Sequence, residues 1–201
     1  MSGGRCIWFE FGLPEKIKKI INLWRLTNLK EFCPKDKSWD KDSLHTTYMY
    51  CGSSFEYTTG ELEKILNTVN YTPIVKISDF KRGDWSPVYF LTLDEVTKNS
   101  SGTDHHSAFK EAYKIATSNG RTIDMHGHNE GEQHPGLHIT IFWASKDQKV
   151  DSKVIEKAKN KLFDELKKEK IETFQFTSIK VMSENPRTKK DYVVFGKKFI
   201  K

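Results

Sequence analysis

No apolar run in the 201-residue sequence approaches the roughly 20 residues that a membrane-spanning helix needs. The opening stretch, "MSGGRCIWFEFGLP", lacks the long apolar core of a secretory signal. Cysteine is scarce. Cys6, Cys33 and Cys51 show no metal-type pairing, and an odd number argues against a disulfide framework. Lysine is spread along the chain with no concentrated basic arm, so neither a membrane nor a long DNA duplex is an expected partner. These absences point to a protein of a reducing compartment: the cytoplasm, or the host cytoplasm if the source is viral. They leave the oligomeric state open.

What is present suits a globular interior: 36% hydrophobic and 12% aromatic residues, in a length that fits one domain made of two lobes. The formal net charge of +6 favours anionic partners such as nucleotides, short RNA or phosphate groups. Lysine-rich helices with solvated outer faces account for the same excess.

Residues 6–11, "CIWFEF", read as a strand, and Pro14 marks the start of a helix with Ile17, Ile20, Ile21 and Trp24 on one stripe. A polar loop is expected from Thr27 to Asp42, then a β-rich run, "SLHTTYMYC". Thr58 and Glu61 form a capping box for a helix burying Leu62, Ile65, Leu66 and Val69. Strands follow near 73–79 and 87–93, then a helix with Phe109, Ala112, Tyr113 and Ala116 inward. After the strand "LHITIFWA", Asp151 opens a long helix with Ile155, Ala158, Leu162 and Leu166 inward. "ETFQFTSIKVM" and "DYVVFGKKFI" read as the two final strands.

The two parts of the chain repeat this order: strand, helix, strand, strand. Each repeat opens with Leu-His-x-Thr, at His45–Thr47 and His138–Thr140. The expected architecture is α+β and bilobal, with two mixed or antiparallel sheets facing a central groove and helices outside. Strand alternation puts the histidine and threonine of each pair on one face. Two imidazoles across a groove suit phosphodiester chemistry. One removes a proton from the nucleophile and the other protonates the leaving oxygen. The two threonine hydroxyls donate to the nonbridging phosphate oxygens as charge builds there. Such a site requires neither metal nor cofactor.

"His45-Thr46-Thr47-Tyr48" and "His138-Ile139-Thr140-Ile141" resemble the twin signatures of the 2H phosphoesterase superfamily. Its members include LigT-type RNA phosphodiesterases, the cyclic phosphodiesterases of tRNA splicing, viral 2′,5′-oligoadenylate phosphodiesterases and anti-CBASS nucleases of phages. "WFEFGLP" is similar to the first strand and helix start of LigT-type proteins. The resemblance implies a metal-independent phosphodiesterase with His45, Thr47, His138 and Thr140 as its catalytic residues. Its substrate would be a 2′,3′-cyclic phosphate, 2′,5′-oligoadenylate or a cyclic nucleotide second messenger, in the last two cases as a viral countermeasure to immune signalling. Hydrolysis and transesterification stay open, as does which histidine is the base. A nucleotide-binding or RNA-binding module without catalysis is the alternative on the same fold.

Alternation extends the two faces to further substrate-binding candidates. Trp8 can stack a base, or else it belongs to the core, and Glu10 can accept from a base edge. Met49 and Phe142 lie one step beyond the threonines as groove-wall residues, or else pack inside. His126, His128 and His134, with Glu130 and Glu132, read as a loop leading into the second motif and not as a zinc site. Arg82, Arg121 and Arg187 are loop residues that either meet phosphates or are solvated.

Overall fold

The computed structural model describes residues 7–32, 44–51, 57–83, 87–96, 104–118, 136–144, 150–184 and 191–199. In chain order the elements are β1 (Ile7–Gly12), α1 (Glu15–Asn28), a 3-10 turn (Lys30–Phe32), β2 (Thr46–Tyr50), α2 (Thr59–Thr68), β3 (Ile74–Arg82), β4 (Val88–Glu95), α3 (His105–Ala116), β5 (Leu137–Trp143), α4 (Ser152–Lys168), β6 (Phe174–Gln175), β7 (Ser178–Glu184) and β8 (Asp191–Lys198).

Local chemistry sets the helix starts. Thr58 and Glu61 close the capping box on α2. Asp104 and Asp151 cap α3 and α4 by accepting from the backbone N–H groups of Ser107 and Lys153. Pro14 occupies the cap position of α1, with no side chain to cap it, and the helix begins at Glu15. The end of α1 lies inside the stretch expected to be loop, because Thr27 and Asn28 bond back to the carbonyls of Leu23 and Trp24. The stripes bury as their spacing requires: Ile17, Ile21 and Trp24 on α1, and Ala158, Leu162 and Leu166 on α4. The Trp24 indole joins these helices by donating to the carbonyl of Ala158 at 2.7 Å. No helix among the described residues is long and apolar enough to cross a membrane.

All eight strands form one antiparallel sheet in the order β6-β3-β4-β5-β2-β1-β7-β8. The expectation of two sheets is corrected to two four-stranded halves meeting at a single residue pair, Thr46 with Ile139, between β2 and β5. The halves mirror each other: β2 corresponds to β5, β1 to β4, β7 to β3 and β8 to β6. Helices α2 and α3 pack together, with α2 on β7, while α4 packs on α1 and β3.

The repeat is exchanged. The β3–β4 hairpin follows the first His-x-Thr strand in sequence but pairs with the second one, β5. Likewise β7 and β8 follow the second motif and join β1, beside the first. The segment "ETFQFTSIKVM" is therefore not one strand. It splits at Phe176-Thr177, where the Phe176 N–H donates to the Pro73 carbonyl in one half and the Thr177 N–H to the Gly12 carbonyl in the other. Phe176, almost fully buried, stacks on Phe11 at 4.6 Å and fixes the crossing. Gly12 leaves room for it, since a Cβ there would collide with Ser178 and Thr177.

Candidate functional site

The Thr46–Ile139 pair defines the centre of the site, because each of these residues sits between the histidine and threonine of its own motif. The two strands run antiparallel through that pair. Chain order therefore brings His45 toward Thr140, and Thr47 toward His138. All four side chains are partly exposed, whereas Thr46 and Ile139 between them are completely buried on the core face. Alternation thus holds across both motifs, and both His-x-Thr pairs face away from the helices.

Each imidazole has an acceptor near Nδ1. For His138 it is the carbonyl of Gly136 at 3.2 Å. A carbonyl only accepts, so this contact is a hydrogen bond when His138 Nδ1 carries a proton, which turns Nε2 to the basic role in the neutral ring. Gly136 has φ +93°, a conformation glycine adopts without penalty, and it turns that carbonyl back under the ring. For His45 the acceptor is the Glu10 carboxylate, with Oε2 at 3.7 Å from Nδ1. Glu10 lies on β1 directly across from Thr47 and is itself largely buried. Its Oε2 also receives the Trp8 indole N–H at 3.4 Å.

Of the four substrate-binding candidates, Glu10 and Trp8 are on the His–Thr face, and Met49 and Phe142 are not. With 7% of its surface exposed, Trp8 has little ring left for a base to stack on. Glu10 directs its Oε2 to His45 and to the Trp8 indole. Met49 and Phe142 lie in the core, and Phe142 is stacked between Tyr89 (4.5 Å) and Phe32 (5.7 Å).

The reason for this correction is the same in both strands. Between Phe9 and Glu10 of β1, the register on β2 jumps from Met49 to Thr47, so β2 accommodates one extra residue, Tyr48. Between Tyr89 and Phe90 of β4, the register on β5 jumps from Phe142 to Thr140, so the extra residue is Ile141. A bulge adds one residue to one strand and reverses its alternation beyond that point. Tyr48 and Met49 both point into the core, as do Ile141 and Phe142. Burial pushes the Tyr48 hydroxyl above the usual phenol range, which keeps it protonated beside Thr68.

Past the bulges the His–Thr faces continue instead with Tyr50 and Trp143, and Trp143 is 63% exposed. The same face carries Phe90, its ring 5.1 Å from His138, and Thr92 opposite His138. Thr92 bonds Ser78, which bonds Asp94 (both 2.9 Å). Lysines complete the two outer edges, with Lys180 across from Glu10 and Lys81 across from Phe90. Phe90, Thr92, Lys180 and Lys81 carry no local mark in the sequence, since each reaches the site through long-range strand pairing.

Arg82 is exposed at the end of β3. Arg121, Arg187, His126, His128, His134, Glu130 and Glu132 lie outside the described residues. Among the described residues, no three His, Cys, Asp or Glu side chains are grouped to hold a metal ion. An open cleft of about 670 Å³ between the end of α4, β3 and β6, lined by Ile77, Phe163 and Lys170 among others, contains neither motif.

The antiparallel sheet that carries these two His-x-Thr segments at its centre is similar in fold to solved structures of E. coli LigT and of a phosphoesterase. The match covers the whole of E. coli LigT complexed with phosphate and the whole of this chain, with a TM-score of 0.57 at 14% identity. A crystal structure described as a phosphoesterase matches with a TM-score of 0.58 at 15% identity, covering 98% of this chain and 97% of the other. The protein TT0787 of Thermus thermophilus matches with a TM-score of 0.56 at 10% identity, over 96% and 97% of the two chains. No family model matches the sequence, and no curated protein matches it.

Proposed function

We propose that the chain is a metal-independent phosphodiesterase that cleaves a ribonucleotide phosphodiester with His45 and His138 as its acid–base pair. The observation that carries this reading is the Thr46–Ile139 pairing, which sets the two His-x-Thr segments side by side at the centre of a LigT-like sheet. One imidazole takes the proton of the attacking hydroxyl, from water or from the substrate's own 2′-OH. The other protonates the leaving oxygen. Thr47 and Thr140 donate hydrogen bonds to the nonbridging oxygens, where negative charge grows. Acid, base and charge stabilisation all come from side chains, so no step needs a metal ion. E. coli LigT has been crystallised with phosphate and with 3′-AMP, which supports a nucleotide phosphate as the ligand class. The candidate substrates are 2′,3′-cyclic phosphates, 2′,5′-oligoadenylate and cyclic dinucleotide messengers, and destruction of a messenger would be its role if the source is viral.

The test is incubation with those three substrate groups in excess EDTA, followed by chromatography, for the wild type and His138→Ala. Cleavage by the wild type and its loss in the variant are expected. Binding without cleavage would make the chain a nucleotide-binding module, and activity abolished by EDTA and restored by zinc would replace the mechanism.

A further inference from the structure

The matched bulges have a consequence for substrate size. In each motif the residue five positions after the histidine, Tyr50 or Trp143, returns to the His–Thr face. The two strands diverge from the Thr46–Ile139 pair in opposite directions, which places these aromatics at opposite ends of the face. Each lies four residues beyond the pair, with one residue taken up by the bulge. At about 3.3 Å per residue, that is on the order of 10 Å on either side of the centre.

Trp143 is too exposed to serve the core, and it stands where burial would come from a ligand in the site. The cationic groups are duplicated with the aromatics. Lys180 sits two strands out from the first motif and Lys81 two strands out from the second, with the Lys81 ammonium 6.0 Å from the Phe90 ring centre. Each half of the face therefore offers an aromatic ring at its end and a lysine level with its motif's threonine, the kinds of contact that a nucleoside and its phosphate use.

Resting on the function proposed above, we infer that the substrate presents a nucleoside on each side of the scissile phosphate, with one base stacked on Trp143 and the other directed to the Tyr50 end. A nucleoside 2′,3′-cyclic phosphate carries only one base and leaves one end empty. A dinucleotide step, within an oligonucleotide or a cyclic dinucleotide, engages both.

The experiment compares kcat/KM for adenylyl-adenosine, 2′,5′-linked and 3′,5′-linked, with that for adenosine 2′,3′-cyclic phosphate, in the wild type, Trp143→Ala and Trp143→Phe. In Trp143→Ala the ratio of dinucleotide to cyclic phosphate should fall by about tenfold to a hundredfold, mostly through KM. Trp143→Phe, which keeps a ring, should recover most of it. Melting temperatures should not move. An unchanged ratio, or a wild type that cleaves the cyclic phosphate and neither dinucleotide, overturns the inference and leaves the phosphodiesterase standing. A wild type that cleaves nothing removes the catalytic reading. Calorimetric binding of adenylyl-adenosine then decides the stacking role: about tenfold weakening in Trp143→Ala supports it, and equal affinity or no binding ends it.

Discussion

The half of the sheet around His45 and the half around His138 share a backbone down to the position of the bulge, yet they surround their imidazoles differently. Glu10 and Phe90 occupy equivalent places, each directly across from its motif's threonine. One puts a carboxylate 3.7 Å from His45 Nδ1, and the other lays a phenyl ring 5.1 Å from His138, whose Nδ1 turns to a carbonyl. The aromatic at the end of each strand also differs, since Tyr50 is half-buried and Trp143 is exposed. A shared backbone thus places two imidazoles alike, and the neighbouring strands make their surroundings unequal. That division suits a reaction that needs an acid and a base in one step.

The strongest challenge to the comparison is to remove the shared part. His45→Ala and His138→Ala should each slow single-turnover cleavage by about 10² to 10⁴-fold. Thr47→Ala and Thr140→Ala should each slow it by about 10- to 10³-fold. All four side chains are partly solvated, so melting should be almost unchanged. The double histidine variant should be little slower than the slower single variant, because groups that act in one step are not additive. A fully active variant at either histidine would reduce the symmetry to one of backbone alone.

How far the sequence reveals this arrangement depends on the range of the signal. The motifs are legible because a strand's period of two is local, and Leu44, Thr46, Leu137 and Ile139 mark the inner face around each histidine. The helices are legible from their caps and apolar stripes. The bulges are not, because Tyr48 and Ile141 are good strand formers and neither stands beside a glycine or proline that would signal irregularity. Alternation carried straight through them leads to Met49 and Phe142 in place of Tyr50 and Trp143. The exchange of hairpins is hidden for a similar reason. The β3–β4 hairpin has the same local pattern whichever central strand it joins, and the crossing at Phe176-Thr177 lies inside an unbroken β-rich run.

The bulge itself is tested by stability. Phe142→Ala removes a ring from the core and should cost about 3–5 kcal/mol, whereas Trp143→Ala, one residue on, should stay within about 0.5 kcal/mol. Chemical denaturation of the two variants measures both. Similar losses would mean that alternation does not reverse at Ile141.

A smaller effect separates the two halves. Glu10→Ala withdraws the partner of His45 Nδ1 and should lower kcat by about tenfold, the scale of one charge-assisted contact. Glu10→Gln keeps a carbonyl acceptor and should recover part of that loss. Phe90→Leu, at the equivalent place, should change kcat by no more than about threefold, since it alters packing and not a polar contact. Equal losses from Glu10→Ala and Phe90→Leu would remove the distinction between the halves.

The smallest effect concerns how the half around His138 holds its helices. There, Lys159 on α4 reaches Asp79 on β3 at 2.9 Å, near the surface. On the far edge of β4, Glu95 meets the α3 residue His105 at 2.7 Å, with both side chains almost fully buried. Hydrogen bonding from Lys159 holds the Asp79 carboxyl below the usual aspartate range, despite an opposing contribution from burial. A depressed folded-state value means that the contribution is complete above the unfolded value near 3.8 and is lost as pH falls through the folded one. Because the pair is largely solvated, its worth at neutral pH is at most about 1 kcal/mol and falls further in high salt. Asp79→Asn should therefore lower stability slightly at pH 7, and the gap to the wild type should close in strongly acidic solution. Urea denaturation at pH 7 and pH 3, with and without 0.5 M salt, measures this. A gap of the same size at both pH values would mean that the charge pair with Lys159 does not stabilise the fold.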